Sequence, residues 1–549
     1  SFHSAKPLLT VPNPPILVNH SHSGQPFPFQ KPSEPTMITF FTVIVALIGV
    51  VYFYFLRKST YWSRRGIVQV PFDSIIFGNS PELFKKHEPM ILKQREWTKQ
   101  YGPVYGLREG STNILVTSDP DMVNEIFFKQ FDNFYSRKDA TLGPNVDKDP
   151  RIHLFLARGA RWKRLRAISA PSFSTNSLKK IRPIVEDSVL NMIEIMENRH
   201  LNKGPFNIHQ FYMEYTMDTI GRLVLGQKES KYFNNPRVAI VEASFMRDFD
   251  MPIIHLKCAF PFILPYIRMA MLTFKSSIAR PILALREEME RTVRERIQKR
   301  EQNPEGYSSD PEDFIDLFLD MTTDDSMEND NDFKLSQSKV SKSLTVDEVV
   351  AQAIVFILAG FDTTANALAY TSWMLSKNPE VMRKCQEEID EICQDESISF
   401  EDLANLKYLE ATCKETLRFF PLGAFANSRT CMKTTQVCGY EIEEGTDIQV
   451  DTFTLHFNKE IYGEDAEEFV PERWLDDSRR VPPNAYIPFG AGPRICIGMR
   501  LALMEEKMAL AHLLKRFNFV KGTTADNLDL HGSLTLTPKT VSIKIVPRS

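Results

Sequence analysis

The 549-residue chain carries 66 Lys and Arg against 70 Asp and Glu, a net charge of −4, with 43% hydrophobic residues. That balance is ordinary for a globular protein and excludes nucleic acid or another polyanion as the partner of the chain as a whole. The seven cysteines (Cys258, Cys385, Cys393, Cys413, Cys431, Cys438 and Cys496) are odd in number and scattered, with no C-x-x-C or Cys/His pairing, which excludes a disulfide framework and a zinc module and fits reduced thiols facing the cytosol.

Residues 1–36 are rich in Pro, Ser and His, lack helical or strand periodicity and read as a disordered N-terminal extension. Met37 stands directly before an uncharged run of 20 residues, 37–56, and reads as the natural initiator, with 1–36 as upstream sequence or a gene-model artefact. If the extension is real it is lumenal, and Asn19-His20-Ser21 is a glycosylation sequon. As a helix the run reaches roughly 30 Å, the thickness of a bilayer core. Tyr52 and Tyr54 lie near one end, and Arg57, Lys58, Arg64 and Arg65 follow. The positive-inside rule then sets a single-pass anchor with the large C-terminal part in the cytosol. A cleaved signal peptide fits less well, because the apolar run is long and the basic residues come after it.

Residues 57–80 read as a linker with Pro71 and Gly78 as breakers, and 82–101 as an amphipathic helix. Strands at 104–107 and 113–117 form a hairpin with Gly110-Ser111 in its turn. Mixed charge with Gly143, Pro144 and Pro150 makes 136–158 a loop. Trp162 and Arg166 are four apart and share a helix face; an indole N–H and a guanidinium there can hold a carboxylate pair, or the face can simply be solvated. Lys163 and Arg164, with Lys179 and Lys180, form either a basic patch for an acidic partner or ordinary surface charge. Helical patterns alternate with loops over 183–274, with 245–266 dense in Phe, Ile, Leu and Pro. A long charged helix follows at 279–302, and 322–343 reads as a solvated acidic loop.

Thr345-Val346-Asp347-Glu348 is a capping box opening a long apolar helix to about residue 376, stopped by Asn378-Pro379. In its middle stands Ala359-Gly360-Phe361-Asp362-Thr363-Thr364. A glycine inside a helix costs about 1 kcal/mol against alanine, and a buried Asp-Thr pair also needs a reason. Hydroxyl-to-carbonyl bonding there could open the helix and admit water; a packing notch of small residues is the plainer reading. Glu415 and Arg418 sit three apart on one helix face, and Pro471-Glu472-Arg473-Trp474 lies downstream. Short strands are expected at 435–442, 447–452 and 541–546.

The stretch around which the chain is organised is Phe489-Gly490-Ala491-Gly492-Pro493-Arg494-Ile495-Cys496-Ile497-Gly498. Glycines and a proline forbid regular structure up to Arg494, and an apolar helix with Glu505, Glu506 and Lys507 on a polar face begins at Met499. Cys496 is thereby placed at a helix N-terminus, where free N–H groups and the helix dipole favour a thiolate that can ligate haem iron. Gly492 and Gly498 would admit a flat cofactor, Phe489 would pack on it and Arg494 would meet a propionate. A buried structural cysteine is the bland alternative.

With its F-x-x-G-x-R-x-C-x-G pattern, the segment resembles the haem-binding signature of the cytochromes P450. From about Tyr61 onward the chain is similar to animal microsomal members of the clan holding the liver drug-metabolising enzymes and thromboxane synthase. The resemblance implies a mainly α fold with a small β region, a cytochrome P450 catalytic domain over 81–549, and an N-terminal transmembrane helix. It implies haem b with Cys496 as axial ligand, contacted by Trp162, Arg166, Arg429, Phe489, Arg494 and Gly360. Asp362 and Thr363 become the proton-delivering pair of an oxygen-binding groove, and Glu415, Arg418 and Arg473 a buried structural triad. Residues 245–266 would form a mobile lid able to dip into the membrane, and 422–427 and 532–536 would line the pocket. The implied activity is a haem-thiolate monooxygenase of a lipophilic small molecule at the endoplasmic reticulum membrane. Electrons would come from NADPH through NADPH–cytochrome P450 reductase, and the resemblance also admits cytochrome b5. A P450-type isomerase of endoperoxides or hydroperoxides and a non-catalytic haem-binding protein are the competing readings. Such isomerases often lack the acid–alcohol pair kept here, and degenerate members should lose the cysteine or the groove threonine.

Overall fold

The computed structural model describes residues 37–85, 88–274, 276–303, 313–322, 343–523, 526–532 and 534–548. The extension 1–36 and all but the ends of the acidic stretch 322–343 lie outside the described residues. The chain divides into two units, 1–54 and 55–549.

The described part of the first unit belongs to helix α1 (Met37–Ser59), which is long and apolar enough to cross a membrane and nearly all of whose side chains are exposed. Apolar residues all around a helix, with no protein covering them, are what a bilayer solvates.

The second unit is built on helix α2 (Val346–Lys377), 32 residues long. It too is apolar enough to span a membrane, but two-thirds of its apolar window is buried inside the protein, so it is a core helix. The capping box forms as expected: Thr345 accepts from the Glu348 N–H, and Glu348 accepts from that of Thr345. Around α2 pack the helices Ile208–Leu225, Arg280–Gln302, Lys407–Phe419 and Met499–Arg516. Their apolar faces make one continuous core with it.

A four-stranded sheet holds the other side. Strands β1 (Val104–Glu109) and β2 (Thr112–Thr117) form the expected hairpin. The sheet continues β2 to β4 (Asp447–Val450) in parallel, and β4 to β3 (Ser428–Thr430) antiparallel. Residues 57–80, read as a linker, bury Tyr61, Trp62, Ile67 and Val70 in the second unit. The strand expected over 435–442 is instead a hairpin, Thr435–Val437 paired with Tyr440–Ile442. Cys438 and Gly439 both adopt positive φ there, the geometry of a two-residue hairpin turn.

The lid expected at 245–266 comprises helices Pro252–Ala259 and Leu264–Thr273, bent sharply against each other. It is not plain core packing, because Phe262, Tyr266 and Phe274 are 73%, 69% and 81% exposed. Beneath it lies an apolar cavity of about 360 Å³ bordered by Met251, Ile254, Tyr266, Ile267 and Met271.

Candidate active site

The loop bearing Cys496 is closed by its own backbone. The Cys496 N–H donates to Phe489 O at 2.9 Å and the Ile495 N–H to Gly492 O at 3.0 Å. Gly492 has φ +66°, and a Cβ there would lie 2.0 Å from the carbonyl oxygen of Phe127. The glycine is therefore required by the approach of another backbone, not by a flat cofactor. Helix α3 (Met499–Arg516) starts just beyond, with Gly498 as its cap residue.

Cys496 is solvent-accessible, yet desolvation raises its thiol pKa above the ordinary value. The N–H groups of Gly498 and Met499 and the cations Arg166 and Arg137 do pull the pKa down, as the helix-terminus argument requires. Burial outweighs them and holds the thiol above its ordinary range.

Arg166 and Arg137 act on the sulfur, and Arg429 and Arg494 lie next to Arg137. Arg166 Nη1 donates to Ile495 O at 2.7 Å. Arg429, set in β3 opposite Ile448, donates to Ser428 O and Ala491 O. Arg494 donates to the carbonyls of Tyr135 and Ala157 and lies 4.7 Å from the ring of Trp162. Arg137, which sequence reasoning left inside a featureless loop, donates to Phe155 O and Arg494 O and completes the group. Among the described residues none of the four forms an ion pair, and every acceptor is a backbone carbonyl. Arg429 Nε and Arg494 Nη1 are buried without any partner. Burial and mutual repulsion push Arg429 and Arg494 well down, and burial brings Arg137 to about 10.

Buried cations persist only when compensated. This cluster suits an anionic ligand next to a sulfur able to ligate a metal. Haem b fits those residues.

On α2, Ala359 is exposed although the helix around it is core, so this turn also borders open space. The Thr363 hydroxyl donates to Ala359 O at 2.8 Å, the back-bonding expected to open the groove. Asp362 is buried, with its carboxylate held by Thr535 at 2.5 Å and Asn366 at 2.9 Å. Desolvation pushes it up to about 6, against the pull of those donors. No hydrogen bond joins Asp362 to Thr363 among the described residues. Gly360, expected at the cofactor, has a different reason: a Cβ there would lie 2.7 Å from Ile220 Cδ1 on helix Ile208–Leu225. Close packing of the two helices therefore requires a glycine at this position.

The triad assembles fully buried. Arg418 Nη2 and Nε donate to Glu415 at 2.8 and 3.0 Å, and Arg473 Nε at 3.2 Å. Trp474 Nε1 and the Val470 N–H add two more donors to the same carboxylate. Phe489 packs on the cluster of Ala367, Tyr370, Leu417 and Leu422. Leu422, Ala424 and Phe425 share a small cavity with Leu534, Thr535 and Leu536, which places both expected pocket segments on one wall.

Two expectations need correction. Arg164 does not contribute to a surface patch, because it is buried and paired with Glu348 at 2.7 and 2.9 Å, alongside Arg161. Glu505, Glu506 and Lys507 are not a solvated face of α3 either. Thr371 donates to Glu506 at 2.9 Å, Lys507 to Glu410 at 3.0 Å, and burial pushes Glu505 and Glu506 up to about 8 and about 7.

The family model described as cytochrome P450 matches residues 69–545. Among curated proteins, Caenorhabditis elegans cytochrome P450 CYP13A10 is 44% identical over 503 residues, covering 90% of this chain and 96% of its own. Cytochrome P450 CYP13A2 of the same organism is 45% identical over 500 residues, with the same coverage of both chains.

Proposed function

Because the chain belongs to the cytochrome P450 family, we propose that it is a membrane-anchored haem-thiolate monooxygenase inserting one oxygen atom of O2 into a lipophilic small molecule. Electrons come from NADPH through NADPH–cytochrome P450 reductase, with cytochrome b5 as an accessory donor. The anchor α1 holds the enzyme at the endoplasmic reticulum membrane, with the catalytic domain on the cytosolic side.

The reading is carried by the cluster of Arg137, Arg166, Arg429 and Arg494 next to Cys496, two of them buried and none with a carboxylate partner among the described residues. Arg137, Arg166, Arg429 and Arg494, with Trp162, would hold the two propionates of haem b, and Cys496 would be its axial ligand. When bound, the haem supplies the iron at which dioxygen is activated. The protein's own tasks are then to exclude bulk water and to meter protons. The Thr363 hydroxyl, which donates to Ala359 O beside the exposed Ala359, would take part in proton delivery there. Asp362, with a pKa of about 6, gives up and regains a proton near neutral pH. The Glu415–Arg418–Arg473 triad holds the scaffold and takes no part in the chemistry. The apolar cavity beneath the lid is suited to a lipophilic molecule. The retained acid and alcohol favour a monooxygenase over an isomerase.

The test is the reduced, carbon-monoxide-bound difference spectrum of membranes carrying the full chain. The reading requires a strongly red-shifted Soret band and product-linked NADPH use with reductase. A band in the ordinary position, or no haem signal in folded protein, overturns it.

A further inference from the structure

Asp362 and Thr363 are adjacent in sequence and about 100° apart around the helix, so their side chains serve different neighbours. Asp362 and Asn366 share a face. Asn366 Nδ2 donates both to Asp362 Oδ2 at 2.9 Å and to Thr537 Oγ1 at 3.1 Å. The Thr535 hydroxyl donates to the same Oδ2 at 2.5 Å. Both donors therefore take one oxygen, and Oδ1 is left as the atom where a proton arrives and leaves. Thr535, and Thr537 behind Asn366, belong to the C-terminal turn that also walls the small cavity, where Leu534 and Leu536 meet Leu422, Ala424 and Phe425.

The turn is tied at several points. The Leu536 N–H donates to Leu422 O at 3.1 Å, Tyr370 Oη donates to Leu536 O at 3.1 Å, and Thr537 pairs with His531. These bonds tie the backbone beside Thr535 to the cavity wall, so a displacement of Leu534 or Leu536 would be passed to the Thr535 hydroxyl.

We propose that Thr535 is a positioning residue for the proton carried by Asp362, and that the turn 534–537 links that proton to whatever occupies the pocket. The proposal rests on the reading of Asp362 as the proton donor. Other titratable groups facing the acid are Glu242 from helix Pro236–Phe245, Tyr370 on α2, His209 on helix Ile208–Leu225, and His531. Glu242 raises the acid's pKa. Burial brings His209, which neighbours Asn366, down to about 4, so it is neutral at physiological pH. Of these contacts, the threonine hydroxyl is the one supplied by the pocket wall.

The experiment uses the full-length holoenzyme in lipid nanodiscs, with Thr535→Val, Thr535→Ser and Asp362→Asn. Infrared difference titration, with Asp362→Asn as the reference, reads the midpoint of the Asp362 carboxyl. Peroxide released per NADPH, with reductase and no added substrate, is followed over the same pH range. Thr535→Val removes a donor to the carboxylate, so the midpoint should rise by about one pH unit, and Thr535→Ser should restore it. Binding 1-phenylimidazole should shift the midpoint in the wild type and not in Thr535→Val. An unshifted midpoint in Thr535→Val, or a failure of serine to restore it, overturns the positioning role. If Asp362→Asn leaves peroxide per NADPH unchanged, the proton-donor reading beneath it fails instead.

Discussion

The backbone N–H of Ile487 donates to Nε2 of His456 at 3.0 Å. Nε2 is thereby the acceptor nitrogen, and Nδ1 donates to the carbonyl of Arg418 at 3.2 Å. Burial brings His456 down to about 3, so the ring stays neutral and keeps this tautomer. Gly490 N–H in turn donates to Ile487 O, and Phe489 O accepts from Cys496. One imidazole thus connects the Glu415–Arg418–Arg473 triad to the cysteine loop.

His456→Phe keeps the volume and removes both hydrogen bonds. Each buried group left unsatisfied costs about 1–3 kcal/mol. The thermal midpoint should fall, and the red-shifted carbon monoxide band should be partly replaced by one in the ordinary position, because the loop no longer fixes the sulfur. An unchanged spectrum and midpoint would show that the loop holds itself.

Removing one cation from the arginine cluster should act with opposite signs on the two forms of the protein. Arg494→Met removes a buried cation that repels its neighbours and carries an unpaired N–H, a gain expected to outweigh the two hydrogen bonds lost to the carbonyls of Tyr135 and Ala157. The haem-free protein should therefore melt higher, while haem retention on dilution falls. A variant that melts lower without haem would mean that the cluster is compensated in the free protein.

The Arg161–Arg164–Glu348 group is a buried network that also closes the N-terminus of α2. Glu348→Gln leaves two buried guanidiniums short of a counter-charge and should destabilise the fold by about 3–5 kcal/mol. Denaturant unfolding checks this. A loss under 1 kcal/mol would place the pair at the surface, where the sequence alone had put Arg164.

Glu505 gives a pH prediction with a definite sign. Its pKa is raised by burial to about 8, against an ordinary value of about 4.3. The folded protein holds a proton that the unfolded chain releases, so stability is lost as pH rises between those values. Glu505→Gln mimics the protonated form. Its stability advantage over the wild type should grow between pH 5 and pH 8 by up to about 1.4 kcal/mol per pH unit. His153, His209 and His456, each held low by desolvation, act in the opposite sense below pH 6.5, but equally in both proteins, and cancel in the difference. A difference independent of pH would mean that Glu505 is ionised in the fold.

The chain itself determined whatever local chemistry dictates. An uncharged run of bilayer length, a capping box, a hairpin turn at Gly110 and a proline after Asn378 each act within a few residues, and α1, the start and stop of α2, and β1–β2 follow from them. Cys496 was legible because its flanking glycines, proline and arginine form one contiguous pattern. Tertiary structure alone decided which charges are inside. Arg164 and Arg137 look like surface residues along the chain, yet one meets Glu348 and the other joins Arg429 and Arg494 through segments hundreds of residues away. The same holds for Asp362, whose partner Thr535 is 173 positions distant. Periodicity reports only which face of an element is apolar. Whether a polar group on the other face meets water or a partner depends on what the rest of the fold packs against it, and that balance of desolvation and pairing is settled only in three dimensions.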